Sequence, residues 1–111
     1  MPNRNPQASQ MSDESMVRTL DAQIRCIWPQ ERALFERYGT PKRILDVGCG
    51  TGSCTVRLAE MYPDSEIVGI ELDPNHVLRA QQACLKFGER IQIEEGDAFD
   101  LQQPSNSFDL V

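Results

Sequence analysis

Three glycines at alternate positions, Gly48, Gly50 and Gly52, follow directly on the apolar run Ile44-Leu45-Asp46-Val47. With Arg43 before it, the run reads as a short buried strand, Arg43–Val47. After Thr51 the spacing turns helical, with Val56, Leu58, Ala59 and Tyr62 apolar. A strand that enters a glycine turn and leaves as a helix narrows the possible architectures sharply. Gly48 permits the tight turn. Gly50 carries no Cβ, so a ligand can lie against its backbone, and Gly52 allows close helix–strand contact. The turn falls at the carboxyl end of a strand, where open α/β sheets bind their ligands. The alternative reading is a tight connection with no ligand.

The rest of the chain keeps this alternation. Pro63-Asp64-Ser65 is a turn, and Glu66–Leu72 holds Ile67, Val68, Ile70 and Leu72 as a second buried strand. Asp73-Pro74 is an N-cap followed by a first-turn proline. The helix it opens carries Val77, Leu78, Cys84, Leu85 and Phe87 and stops at Gly88. Ile91–Glu95 is a third strand, and Phe108–Val111 begins a fourth. The expected class is therefore α/β: a Rossmann-like parallel sheet with flanking helices, only the first four strands present. Upstream, Met16, Val17, Leu20, Ile24, Ile27 and Trp28 recur at steps of three and four. They predict a helix from about Asp13 that kinks or restarts at Pro29 and continues through Leu34, Phe35 and Tyr38. Met1–Ser12, rich in Pro, Asn, Gln and Ser, is expected to be a disordered tail. The divisions are 1–12, 13–38 and 43–111.

At 111 residues and 40% hydrophobic content, the chain supports one modest core. No apolar run approaches the length of a membrane span. The net charge of −6 lies wholly in residues 39–111, which carry six basic and twelve acidic side chains. That balance argues against nucleic acid, whose binding rests on Lys and Arg. Cys26, Cys49, Cys54 and Cys84 form no Cys-x-x-Cys, and His76 is the single histidine, so no metal site is expected. The N-terminus has no apolar signal region. Four reduced thiols in a cytoplasmic, alternatively nuclear, protein follow from this.

Spacing also discriminates among ligands. A dinucleotide fingerprint needs glycine at 53, which is Ser, and no lysine follows Gly52 until Lys86, which disfavours a phosphate-binding loop. Asp46 would repel a pyrophosphate and suit a cation. Glu71, at the end of strand two, is placed to accept from ribose hydroxyls. Asp97, after strand three, is placed to accept from an exocyclic amine, with Phe99 packing near a base. The alternatives are a solvent-facing acid at Glu71 and an Asx-turn at Asp97. The remaining residues read as structural. Asp73 is a cap, Cys49 a small filler, and Cys54, Cys84, Trp28 and Phe35 core. His76 should be exposed, and Glu94-Glu95 a wet strand edge.

Taken together, Ile44-Leu-Asp-Val-Gly-Cys-Gly-Thr-Gly52 resembles motif I of the class I S-adenosylmethionine-dependent methyltransferases. Ile67-Val-Gly-Ile-Glu-Leu-Asp-Pro74 resembles the second motif, and Glu95-Gly-Asp-Ala98 and Asn106-Ser-Phe-Asp-Leu-Val111 the next two segments. The resemblance implies S-adenosyl-L-methionine as cofactor. By it, Asp46, Gly48, Cys49, Gly50 and Gly52 hold the methionine end. Glu71, followed by Leu72, takes the ribose place, and Asp97 with Ala98, beside Phe99, reads adenine. Residues 13–38 would be the family's N-terminal cap helices. The implied reaction is attack of an acceptor, expected to be a small molecule, on the sulfonium methyl. The family sheet has seven strands, so the catalytic residues are expected beyond Val111 and stay unassigned. A chain ending inside strand four is expected to be truncated, inactive alone and prone to self-associate through that strand's edge. The competing readings are a non-catalytic module that only binds the cofactor, and a nicotinamide-dinucleotide half-domain weakened by Ser53.

Overall fold

The computed structural model describes residues 14–111, so the expected tail at 1–12 lies outside the described residues. The elements are α1 (Glu14–Glu36), β1 (Arg43–Val47), α2 (Ser53–Met61), β2 (Glu66–Glu71), α3 (Pro74–Cys84), a 3-10 segment (Leu85–Arg90) and β3 (Ile91–Glu95). The three strands are parallel in the order β1-β2-β3, with Asp46 paired to Gly69 and Glu71 to Glu95. Leu110 forms a single parallel bridge to Ile44 on the free side of β1. The expected fourth strand is thus reduced to one bridge residue. Its approach is fixed at two points: Asp109 Oδ2 accepts from the backbone N–H groups of Lys42 (2.9 Å) and Arg43 (3.0 Å), and Leu45 N donates to Leu110 O at 2.9 Å. The Arg43 guanidinium lies 4.7 Å from the centre of the Phe108 ring.

Side chains alternate across a strand, so Ile44, Asp46, Ile67, Gly69, Glu71, Ile91 and Ile93 share one sheet face. Their apolar members join Leu58, Ala59, Val77, Ala80 and Cys84 in one core cluster, which places α2 and α3 on that face. Two glycines let these layers close. A Cβ on Gly52 would stand 3.1 Å from Ala80 Cα, so this glycine seats α2 against α3. The sequence reading assigned it to helix–strand contact; the neighbour is a helix, because Ala80 projects from α3 into the crossing. A Cβ on Gly69 would stand 2.7 Å from Ile93 Cδ1 and 3.0 Å from Cys49 Sγ. The Cys49 thiol fills the space that Gly69 leaves.

The Arg90 guanidinium binds three carbonyls at the end of α2 and the turn after it: Ala59 (2.8 Å), Tyr62 (3.2 Å) and Ser65 (3.0 Å). Ala59 O would otherwise be an orphaned acceptor of the helix terminus, its i+4 residue being Pro63, while Tyr62 O also accepts from Ser65 N at 3.1 Å. Ser65 Oγ in turn donates to Pro41 O, fastening the same turn to the segment before β1.

Helix α1 runs unbroken through Pro29, where a kink or restart was expected. Pro29 lies on the exposed side, as does Arg25, whose carbonyl loses its partner, so the freed oxygen meets water rather than core. Tertiary contacts fasten the helix along its length. Glu14 pairs with Arg79 of α3, Ser53 Oγ donates to Asp21 Oδ1 at 2.7 Å, and Tyr62 Oη donates to Phe35 O at 3.1 Å.

Gly69→Ala is expected to destabilise the fold by about 1–3 kcal/mol through overpacking. Ile93→Val, which removes the clashing Cδ1, should recover part of that loss in a double-mutant cycle read by denaturant melts. An additive pair would show that Gly69 does not set the layer spacing.

Candidate functional site

The carboxyl ends of β1 and β2 lie side by side, and the two turns that leave them are tied together. Gly48 N and Cys49 N both reach Ile70 O, at 2.8 and 3.1 Å, so the glycine turn begins as an extension of the sheet. Gly48, Gly50 and Gly52 all take positive φ, of 70°, 58° and 86°, a region that other residues enter at a steric cost. Gly52 N closes the turn on Cys49 O at 3.0 Å. The Glu71 carboxylate joins the turn to the next connection. Its Oε1 accepts from Gly50 N at 2.9 Å and its Oε2 from Asp73 N at 2.8 Å. Each oxygen keeps acceptor capacity after these bonds. Nothing lies within 4 Å of the place a Cβ on Gly50 would take, so this backbone is open on that side.

Helix α1 roofs the turns. A cleft of about 250 Å3 lies between them, walled by Leu20, Asp21, Ile24 and Ile27 of α1, by Asp46, Gly48, Cys49 and Gly50, and by Cys54, Glu71 and His76. A larger hollow of about 400 Å3 at the opposite end, between Arg32, Glu36, Tyr62 and Asp64, holds neither the glycine turn nor the strand-end acids. We place the site in the smaller cleft, because the open backbone and the oriented carboxylates converge there.

The cleft is acidic. Asp21, Asp46 and Glu71 line it, and no Lys or Arg does. Burial pushes the Asp46 carboxyl above its usual range, and the Thr55 hydroxyl, donating to Oδ2 at 2.7 Å, works against that shift. The Ser53 hydroxyl, with help from Arg25 and Arg57 and against partial burial, holds Asp21 below the usual range. Burial and then the Asp46 charge raise the thiols, Cys49 to about 12 and Cys54 to about 11. Neither is a thiolate nucleophile near neutrality, which agrees with reading Cys49 as a filler.

Of the residues singled out from sequence, Asp46, Gly48, Cys49, Gly50 and Glu71 meet in this cleft. Gly52 is packed away under Ala80. Leu72 (63% exposed) and Phe99 (99% exposed) stand in solvent. Asp97 accepts from Phe99 N at 2.9 Å, the Asx-turn geometry, and Ala98 is exposed between them. Asp97, Ala98 and Phe99 do not line the cleft. His76, expected to be exposed, is 3% exposed and forms part of the wall. The Asp73 cap orients the start of α3 so that this first-turn position faces inward. Sequence reasoning also missed Thr55, fully buried beneath Asp46, and Asp21. Thr55 lies nine residues after Asp46, and only folding the turn between them reveals the pair.

Asp46→Asn should raise thermal stability at neutral pH. Burial disfavours the ionised carboxyl, so wild type carries no penalty while the folded and unfolded chains are both protonated, and acquires it as pH rises from the unfolded value to the elevated folded one. The gain of Asp46→Asn over wild type should therefore vanish below the ordinary aspartate value of 3.8 and appear above it. Melting curves over that range check the sign.

A family profile described as a methyltransferase domain matches residues 44–111. The chain is 38% identical over 84 residues to a demethylmenaquinone methyltransferase of Deinococcus radiodurans, across 76% of this chain and 35% of that protein. It is 38% identical over 77 residues to a tRNA1(Val) (adenine(37)-N6)-methyltransferase of Porphyromonas gingivalis, across 64% and 30%. It thus spans about a third of the length of these two curated relatives. In structure it is similar to a SAM-dependent methyltransferase from Aquifex aeolicus, with TM-score 0.70 at 21% identity, covering 86% of this chain and 53% of that one.

Proposed function

Because the chain belongs to the class I S-adenosylmethionine-dependent methyltransferases, we propose that the cleft beneath α1 is its methyl-donor site and that the protein transfers that methyl to a small-molecule acceptor. One observation carries the assignment: Glu71 is held at the rim by Gly50 N and Asp73 N, beside the open face of Gly50. A carboxylate fixed at both oxygens, with lone pairs to spare, is a ready acceptor for a pair of ribose hydroxyls. The space that a Cβ on Gly50 would fill is a cradle for the donor's aminoacyl end, and buried Asp46 beside it favours the cationic ligand. When bound, S-adenosylmethionine supplies a sulfonium methyl to an acceptor nucleophile in line with it. The chain's own work is to fix the donor's two ends and, through Leu20, Ile24 and Ile27, to keep water from that side. Asp97, Ala98 and Phe99, with Leu72, are proposed as the adenine rim, the turn at Asp97 presenting a carboxylate beside an exposed ring.

The small-molecule acceptor rests on charge. Residues 39–111, which supply the glycine turn and the strand-end acids, carry twice as many acids as bases, a poor surface for a phosphate backbone. The Porphyromonas relative acts on tRNA by its name, so an acceptor panel should include RNA. Among the described residues, no helix is long and apolar enough to cross a membrane.

Calorimetric titration of the chain should give binding of S-adenosylmethionine or its demethylated product and weaker or no binding of NAD. Tighter binding of NAD would remove the methyl-donor assignment. Glu71→Ala deletes both proposed ribose bonds, at about 2–4 kcal/mol, or roughly 30- to 1,000-fold in affinity. Gly50→Val should lower affinity comparably by filling the cradle, with circular dichroism confirming that the variant folds. Unchanged affinity in either variant would move the ligand away from that turn.

A further inference from the structure

Ser53 stands where a dinucleotide fingerprint would place its third glycine, and the fold gives its side chain a different task. It is the first residue of α2, one place after the Gly52 cap, and that cap makes no side-chain hydrogen bond. A serine beside a helix start is most often used as that helix's own cap. Here the hydroxyl crosses to another helix and donates to Asp21 Oδ1 at 2.7 Å. Both partners are braced from behind. Arg57, one turn along α2, donates to the Ser53 carbonyl and to its hydroxyl oxygen. Arg25, one turn along α1, pairs with Asp21 Oδ2 at 2.8 Å. The chain Arg57–Ser53–Asp21–Arg25 thus runs from the helix after the glycine turn into the roof.

The other fastenings of α1 lie away from the cleft. Tyr62 Oη binds Phe35 O, and Trp28 and Phe35 pack against the core, so the C-terminal half is anchored. Near the N-terminal end, Val17 is buried and the Glu14–Arg79 pair is exposed, a kind of contact that holds little. Of the polar contacts that fasten α1, Ser53–Asp21 is the one whose two residues both line the cleft. With α1 in place the cleft holds about 250 Å3, less than the roughly 300–1,000 Å3 of small-molecule sites. A ligand of that class passes only when the roof gives way, and this bond stands where the roof must part.

We propose that the Ser53–Asp21 hydrogen bond is a latch on the cleft, which sets how fast the methyl donor enters and its demethylated product leaves. This inference rests on reading the cleft as the donor site. The bond joins two protein residues and includes no ligand atom, so it is made in the bound and the unbound chain alike. Its loss lets the roof open more often in both states. Entry and exit then speed up together, while the equilibrium constant changes much less. A hydrogen bond to a charged group is worth roughly tenfold to a hundredfold in such an opening equilibrium. A side chain that touches the ligand changes exit and affinity instead, and one that only supports the fold changes the melting temperature alone.

The test is surface plasmon resonance on the immobilised full chain, with S-adenosylmethionine and S-adenosylhomocysteine. Ser53→Ala should raise the association and dissociation rate constants about tenfold or more for both ligands, with Kd changed by less than about threefold. Ser53→Thr, which keeps the hydroxyl, should return both rates towards wild type. Asp21→Ala breaks the bond from the other end. For the product, whose sulfur is uncharged, it should match Ser53→Ala, and the double variant should be no faster than either. Melting curves identify the folded variants, and either single variant suffices for the comparison with wild type. Wild-type rates in a folded Ser53→Ala or Asp21→Ala, faster dissociation alone with a matching loss of affinity, additive single effects, or no recovery in a folded Ser53→Thr would overturn the latch. Failure of wild type to bind either ligand would overturn the donor-site reading itself, and this inference with it.

Discussion

The site depends on a single carboxylate. Glu71 leaves the end of β2 and accepts one backbone N–H from the glycine turn and one from the connection into α3. The glycine turn and the connection into α3 are thereby held to a common anion. Gly50 donates to it from within a turn whose glycines take positive φ, and Asp73 donates while its own side chain caps α3. Loop, strand end and helix start are one hydrogen-bonded unit. Charge-assisted bonds of this kind are among the stronger ones a protein makes, which suits a loop that must stay open on its ligand side without collapsing.

Much of this unit was legible from local chemistry. β1 and β3 have the bounds read from their apolar runs, and β2 stops one residue short of Leu72 because Glu71 turns to the cap. Asp73-Pro74 caps a helix as its residue types require. The glycine turn was readable because three positive-φ positions in a row of five have few other solutions. These signals act over a few residues, where intrinsic conformational preference decides.

What was not legible is tertiary. Pro29 breaks a helix by local rule, yet α1 passes through it because contacts along its length hold the helix to α2, α3 and the α2 terminus. The local rule makes a first-turn histidine exposed, but the roof formed by α1 encloses His76. Gly69 carries no turn signal at all; its need for hydrogen comes from Ile93, 24 residues later, and from the Cys49 thiol. Leu110 was expected to extend a strand and makes one bridge, its neighbours being held instead through Asp109 and the Arg43–Phe108 contact. In each case the deciding partner is remote in sequence.

The guanidinium of Arg90 has a dynamic consequence. It sits at the entry to β3 and collects carbonyls from Ala59, Tyr62 and Ser65, so the last turn of α2 has no private opening motion. Fraying there exposes three acceptors and a cation at once, and that penalty is shared with β3. Helix ends ordinarily open first and exchange their amide hydrogens fastest. Here the amides near the α2 terminus belong to the same cooperative opening unit as the third strand. Tyr62, whose carbonyl Arg90 holds, also donates its hydroxyl to Phe35 O, so the C-terminal end of α1 is tied to the same unit.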